Sequence, residues 1–144
     1  MKAIALIFLT IFMAKGCSQE SKNDMANAVL QYSANKRGFY ERITIQERKI
    51  YISHDRNSAD RGLSKEISEK DWKELVGYFQ TIKLDSLGTF KDPTQKRYYD
   101  GAAIANLKVT YKEKDYQTTE FDHGYPPVEI EKFVNKIVSL EKEE

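Results

Sequence analysis

The chain has 144 residues, with 23 basic and 22 acidic side chains and a formal net charge of +1. That is enough for one domain with a single core, and the interspersed charges leave no basic excess to meet phosphates, so nucleic acid is not an expected partner. One cysteine and two histidines allow no internal disulfide and give no pair at metal-ligand spacing, so neither a metal nor a cofactor is expected.

The chain opens with Lys2, an apolar run from Ala3 to Ala14 broken only by Thr10, and then Gly16 before the sole cysteine, Cys17. A membrane-spanning helix needs about 20 apolar residues, so this run is too short to span and fits the middle of an export signal. The stretch resembles a bacterial lipoprotein signal peptide with Cys17 as the lipidated residue. Lys15 stands where the strict pattern has a small residue, a departure found in looser versions among Bacteroidetes-type bacteria. The resemblance implies that residues 1–16 are removed and that Cys17 becomes an acylated N-terminus. Its thiol would then serve neither redox chemistry nor metal binding. The implied partner is a membrane, reached through the lipid, and the implied place is the bacterial cell envelope, at the outer membrane or its periplasmic face. Losing Lys2 and Lys15 brings the net charge close to −1.

Residues 17–37 are expected to be the lipidated cysteine and a tether, because residues 18–23 are polar and aperiodic. Met25, Val29, Leu30 and Tyr32 suggest one loosely docked helical turn in it. A single α+β domain is expected over residues 38–144. From Phe39 to Gln46 apolar and polar residues alternate with period two, and Ile50 to Ser53 alternates again after a polar break, which predicts a hairpin. Asp55, Asn57 and Asp60 lie in a polar loop whose offsets do not fit a calcium site. Ser68 with Asp71 forms a near capping box for a helix carrying Trp72, Leu75, Val76 and Phe79 on one stripe. Residues 83–97 connect. A second hairpin follows: Ala103, Ala105, Leu107, Val109 and Tyr111 alternate with polar neighbours, and residues 116–122 return. Pro126 and Pro127 introduce a last helix with Ile130, Phe133, Val134, Ile137 and Leu140 as its apolar stripe. The predicted architecture is α+β in ββαββα order, two antiparallel hairpins in one sheet with both amphipathic helices on one face.

No sequence motif in the chain carries a reaction. His123 beside Asp122 or Asp100 would need a nucleophile, for which Ser53 and Thr119 are the candidates, and no nucleophile elbow or oxyanion-hole sequence accompanies them. Pairing of the second hairpin's strands brings its two ends together. Arg97, Tyr98, Tyr99, Asp100, Asp122, His123 and Tyr125 are therefore expected at one end of the sheet as a binding corner. The alternative is a structural corner in which Asp100 and Asp122 accept backbone N–H bonds.

The stretch RYYDGAAIANLKVTY, followed by FDHGYPPVEIEKFVNKI, resembles a group of small lipoproteins of Bacteroidetes-type bacteria whose domain has no assigned function. The likeness covers roughly the C-terminal half and the Trp72 helix, with the signal in the same place. It implies a location and a fold, and carries over no catalytic residue. The expectation is a monomeric, lipid-anchored, non-enzymatic domain binding an envelope protein or small ligand. The alternatives are an envelope hydrolase using His123 and an inhibitor or immunity-like protein.

Overall fold

The computed structural model describes residues 24–143. The predicted signal, Cys17 and residues 18–23 lie outside the described residues. The protein is α+β, built on a seven-stranded antiparallel sheet.

The sheet is organised around β1 (Val29–Lys36). Leu30, Tyr32 and Ala34 are buried on one face of it, while Gln31 and Ser33 point to the other. This corrects the tether expected up to residue 37: its last third is the strand that joins the two halves of the sheet. Even before it, Met25 is buried, and the Asp24 N–H donates to the Tyr111 hydroxyl at 3.0 Å. Met25, Val29, Leu30 and Tyr32 also fit a helical face. The period-two signal depended on a small residue, Ala34, and was easily read past.

β1 turns at Arg37-Gly38 into β2 (Phe39–Gln46), which pairs with β3 (Lys49–Ser53). The expected first hairpin is thus present as β2 and β3. A further short strand, β4 (Leu63–Glu66), pairs with β3 at the sheet's edge. Gly62, at φ +90°, makes that docking possible, because a Cβ there would lie 1.9 Å from the Ile52 carbonyl oxygen. After α1 (Glu69–Phe79) come β5 (Ile104–Tyr111), β6 (Lys114–Gln117) and β7 (Phe121–Asp122). β5 pairs with β1 on one side and with β6 and then β7 on the other. The chain ends in α2 (Glu131–Glu141). The order is therefore four strands, a helix, three strands and a helix, rather than ββαββα. Spatially the strands run β4-β3-β2-β1-β5-β6, with β7 continuing the β6 edge.

Both helices form where the apolar stripe is helical. The Ser68 hydroxyl accepts the Asp71 N–H and caps α1. Leu75 and Phe79 of α1, and Phe133, Val134, Ile137 and Leu140 of α2, join Tyr32, Ile43, Ile45, Leu107 and Val109 in one buried cluster. Phe79 meets both Tyr111 of β5 and Phe133 of α2. Trp72 packs on this core while only partly buried. Lys136 on α2 ties the helices together, donating to Asp71 at 2.7 Å and lying 3.1 Å from Glu74. Among the described residues, no helix is long and apolar enough to cross a membrane.

Two hairpin turns place charged residues in the left-handed region: Glu47 and Arg48 between β2 and β3, and Lys112 and Glu113 between β5 and β6. Two-residue turns with both φ values positive favour Asn-Gly, since a Cβ there costs about 1–2 kcal/mol per residue. The double change Lys112→Asn and Glu113→Gly is expected to stabilise the fold by roughly 1 kcal/mol. A thermal melt that shows no gain or a loss would contradict the turn assignment.

Candidate functional site

The corner predicted at the end of the sheet is built on one carboxylate. Asp122 closes β7 and is fully buried. It accepts from the Thr94 hydroxyl at 2.5 Å, the Lys96 N–H at 2.6 Å, the Arg97 N–H at 3.0 Å and the Arg97 guanidinium at 3.1 Å. Those bonds pin a 3-10 turn (Lys96–Tyr99) across 25 residues of chain. The Arg97 side chain is itself only 6% exposed and pairs with Asp92 at 2.8 Å. Burial pushes the Asp122 carboxyl up. The bonds from Thr94, from the two N–H groups and from the guanidinium outweigh it and hold the group down at about 2.

The seven predicted residues therefore divide. Arg97 and Asp122 are a structural clamp, as the structural-corner alternative had it for Asp122. Asp100 ends the 3-10 turn in the left-handed region at φ +60° and its carboxylate is exposed. Tyr98 and Tyr99 project outward, 73% and 72% exposed, with the Arg97 guanidinium 4.5 Å from the Tyr98 ring centroid. Only His123 and Tyr125 line a cleft.

That cleft, about 330 Å³, is lined further by Lys36, Phe39, Lys96, Gly101, Ala102 and Ala103. His123 is set by a turn. Its N–H donates to the Ala103 carbonyl at 2.9 Å, the Tyr125 N–H donates to the Asp122 carbonyl at 2.9 Å, and Gly124 supplies the positive φ of +91° that such a turn requires at its third position. The imidazole lies beside the Tyr32 and Phe39 rings, at 5.9 and 5.6 Å between centroids. Its Nδ1 is 2.7 Å from the Tyr32 hydroxyl. Burial lowers the affinity of His123 for a second proton, against the opposing pull of Glu141. No other acceptor meets the Tyr32 hydroxyl among its hydrogen bonds, and a buried donor left unmet is costly, so the arrangement favours Tyr32 donating to Nδ1 with the proton of a neutral ring on Nε2. Burial, and then the nearby Glu41 charge, push the Tyr32 hydroxyl up, far from ionising. Lys96 lies 4.0 Å from the Tyr125 ring centroid and donates to its hydroxyl at 2.9 Å.

Sequence reasoning missed Lys36 and Phe39 because β1 was missed. They flank the β1–β2 turn, and the β1–β5 register, Asn35 opposite Ile104, carries that turn to the start of β5. Arg56 braces the turn through Asn35 and the carbonyls of Lys36 and Phe39. The loop that holds Arg56 also contains Asp55, Asn57 and Asp60. There the Asp55 and Asp60 carboxylates accept the N–H groups of Asn57 and Gly62. Among the described residues no cluster of three His, Cys, Asp or Glu could hold a metal ion.

His123 does not meet Asp122 or Asp100 as an acid–base couple, because Asp122 is committed to the clamp. Ser53 accepts from the Asp55 N–H at 3.3 Å, and Thr119 donates to the Phe90 carbonyl at 3.3 Å. Neither is bonded to the imidazole.

Behind the cleft, Glu41 of β2 is 3% exposed, and its Oε1 has no hydrogen-bond partner among the described residues. It faces Glu141 at the end of α2, which is paired with His54 at 3.2 Å. Burial, and then the Glu141 carboxyl, push the Glu41 carboxyl up to about 7, against the pull of His54 and Lys142.

Asp122→Asn places an N–H₂ against N–H donors and strips the buried Arg97 of one of its two anions, leaving the pair with Asp92. It should cost about 3–5 kcal/mol in chemical denaturation. A cost below 1 kcal/mol would show that the clamp is not what holds this corner. The two buried acids make opposite pH slopes. Asp122 is depressed, so its stabilisation is present above its ordinary 3.8 and is lost as pH falls toward 2. Glu41 is raised, so its contribution to stability is fully present below its ordinary 4.5 and is lost as pH climbs to about 7. Glu41→Gln should remove the decline between those two values. An unchanged slope in denaturation midpoints from pH 4.5 to 7 would contradict it.

No protein-family model, curated protein or solved structure matches this chain.

Proposed function

We propose that this is a lipid-anchored domain of the bacterial cell envelope, held to a membrane through Cys17, that binds a partner and does not catalyse a reaction. The lipoprotein-like signal ending at Cys17 supports the anchor. The resemblance of the Trp72 helix and C-terminal half to small envelope lipoproteins agrees with it. The observation that carries the binding reading is the cleft beside His123. Its imidazole is locked to a tyrosine that resists ionising, with neither a carboxylate nor an activated nucleophile on it. Such a group presents a hydrogen-bond donor and an aromatic edge, which suits recognition better than hydrolysis. The cleft also lies at the far end of β1 from Asp24.

One preparation tests both parts. Cys17→Ser should release the protein from the membrane fraction. Pull-down from membrane extracts should lose its partner in Lys96→Ala, which keeps the wild-type melting temperature, and in His123→Ala, which melts lower because the buried Tyr32 hydroxyl loses its acceptor. A wild type that is wholly soluble removes the anchor. Partners unchanged in both variants remove the cleft as the binding surface. Arg97→Ala is unsuitable for this purpose, because Arg97 belongs to the clamp.

A further inference from the structure

The chemistry of the cleft narrows what it accepts. Its lining includes two lysines, Lys36 and Lys96, together with His123, and no carboxylate. The nearest acid on the same turn, Asp122, is sealed below the surface, with both oxygens taken by Thr94, Lys96 and Arg97. The lining itself therefore carries cations and no carboxylate, with the exposed Asp100 just outside it. Lys96 is held in place by the Tyr125 ring and hydroxyl, and its backbone is pinned by Asp122, so one cation is preorganised. His123 lines the cleft and is bonded through Nδ1 to Tyr32, which leaves Nε2 as its ring nitrogen for a ligand. Phe39 and Tyr125 bring aromatic rings to the lining, and Gly101, Ala102 and Ala103 add only small side chains to it. At about 330 Å³ the cleft falls at the lower end of the range for small-ligand sites, roughly 300–1,000 Å³.

We propose that the cleft is a receptor for an oxyanion, a carboxylate or phosphate monoester, carried on a flat apolar body of about one aromatic ring. The oxyanion meets Lys36, Lys96 and the His123 Nε2–H, and the ring lies against Phe39 and Tyr125. Charge-assisted bonds to an anion are about twice as strong as neutral ones, so the acid group sets the affinity and the ring sets its orientation. This rests on reading the cleft as a binding surface, and it adds the class of ligand.

The test uses the full-length chain in a neutral detergent, observed by NMR at the His123 ring and at the Gly101 and Ala102 amides. The probes are benzoate, phenyl phosphate and, as the neutral control, benzyl alcohol. At least one of the two acids should shift these signals saturably at millimolar concentration, and the better of them identifies the acid group. Benzyl alcohol should not. The double variant Lys36→Gln and Lys96→Gln, with an unchanged melting temperature, should weaken that binding at least about ten-fold. The inference is overturned if neither acid binds, if benzyl alcohol binds as well as the acids, or if the double variant binds normally. If the acids fail while the partner pull-down still depends on Lys96 and His123, the ligand class falls and the binding reading stands. If both fail, the binding reading falls too.

Discussion

A carboxylate with no contact to water holds the end of this sheet together. Asp122 gathers two backbone N–H groups, a hydroxyl and a guanidinium from a segment 25 to 28 residues earlier in the chain. A buried charge is tolerable only when it is paired and its lone pairs are filled, and here they are. The consequence is positional. The turn at residues 96–99, Lys96 on its surface, and the His123–Gly124 turn that follows Asp122 directly are fixed against one another. Through His123 the same order reaches Tyr32, the largest fully buried side chain of the central strand.

The second constraint is β1. It contributes Leu30, Tyr32 and Ala34 to the core and pairs with both β2 and β5, so the two parts of the sheet meet only through it. The helix stripes were legible because Ile130, just before α2, and Phe133, Val134, Ile137 and Leu140 within it recur at helical spacing, and all five are buried. The β2–β3 hairpin was legible because isoleucines alternate there with polar residues. β1 was not, since its inward positions are a leucine, a tyrosine and an alanine, and the same residues satisfy a helical pattern. β4 was illegible for a different reason: its four residues are all exposed, so it carries no burial signal. It exists because Gly62 lets its backbone approach β3.

The site was half legible. Antiparallel pairing correctly brought residues 96–100 and 122–125 to one place, because pairing in a hairpin follows from alternation and turn chemistry. What the sequence did not disclose was which side chains face inward. Asp122 and Arg97 read as candidate ligand-binding charges, and the structure spends them on each other and on the backbone. His123 read as a possible partner of an acid, and its partner is a tyrosine 91 residues away. Lys36 and Phe39 carried no visible signal at all until β1 placed them beside His123. The inward position of Glu41 was legible from the same alternation, which sets it on one face with Phe39, Ile43 and Ile45; that it faces Glu141 at the end of α2 was not.

The claim on which the corner depends is that Asp122 remains ionised in the dry interior because its hydrogen bonds overcome its burial. Carbon-13 NMR of its side-chain carboxyl through an acid titration measures this directly. The shift should stay constant down to about pH 3, with a midpoint at about 2. A midpoint at the ordinary 3.8 or above would mean that the clamp does not hold the charge, and the preorganised cleft would lose its foundation.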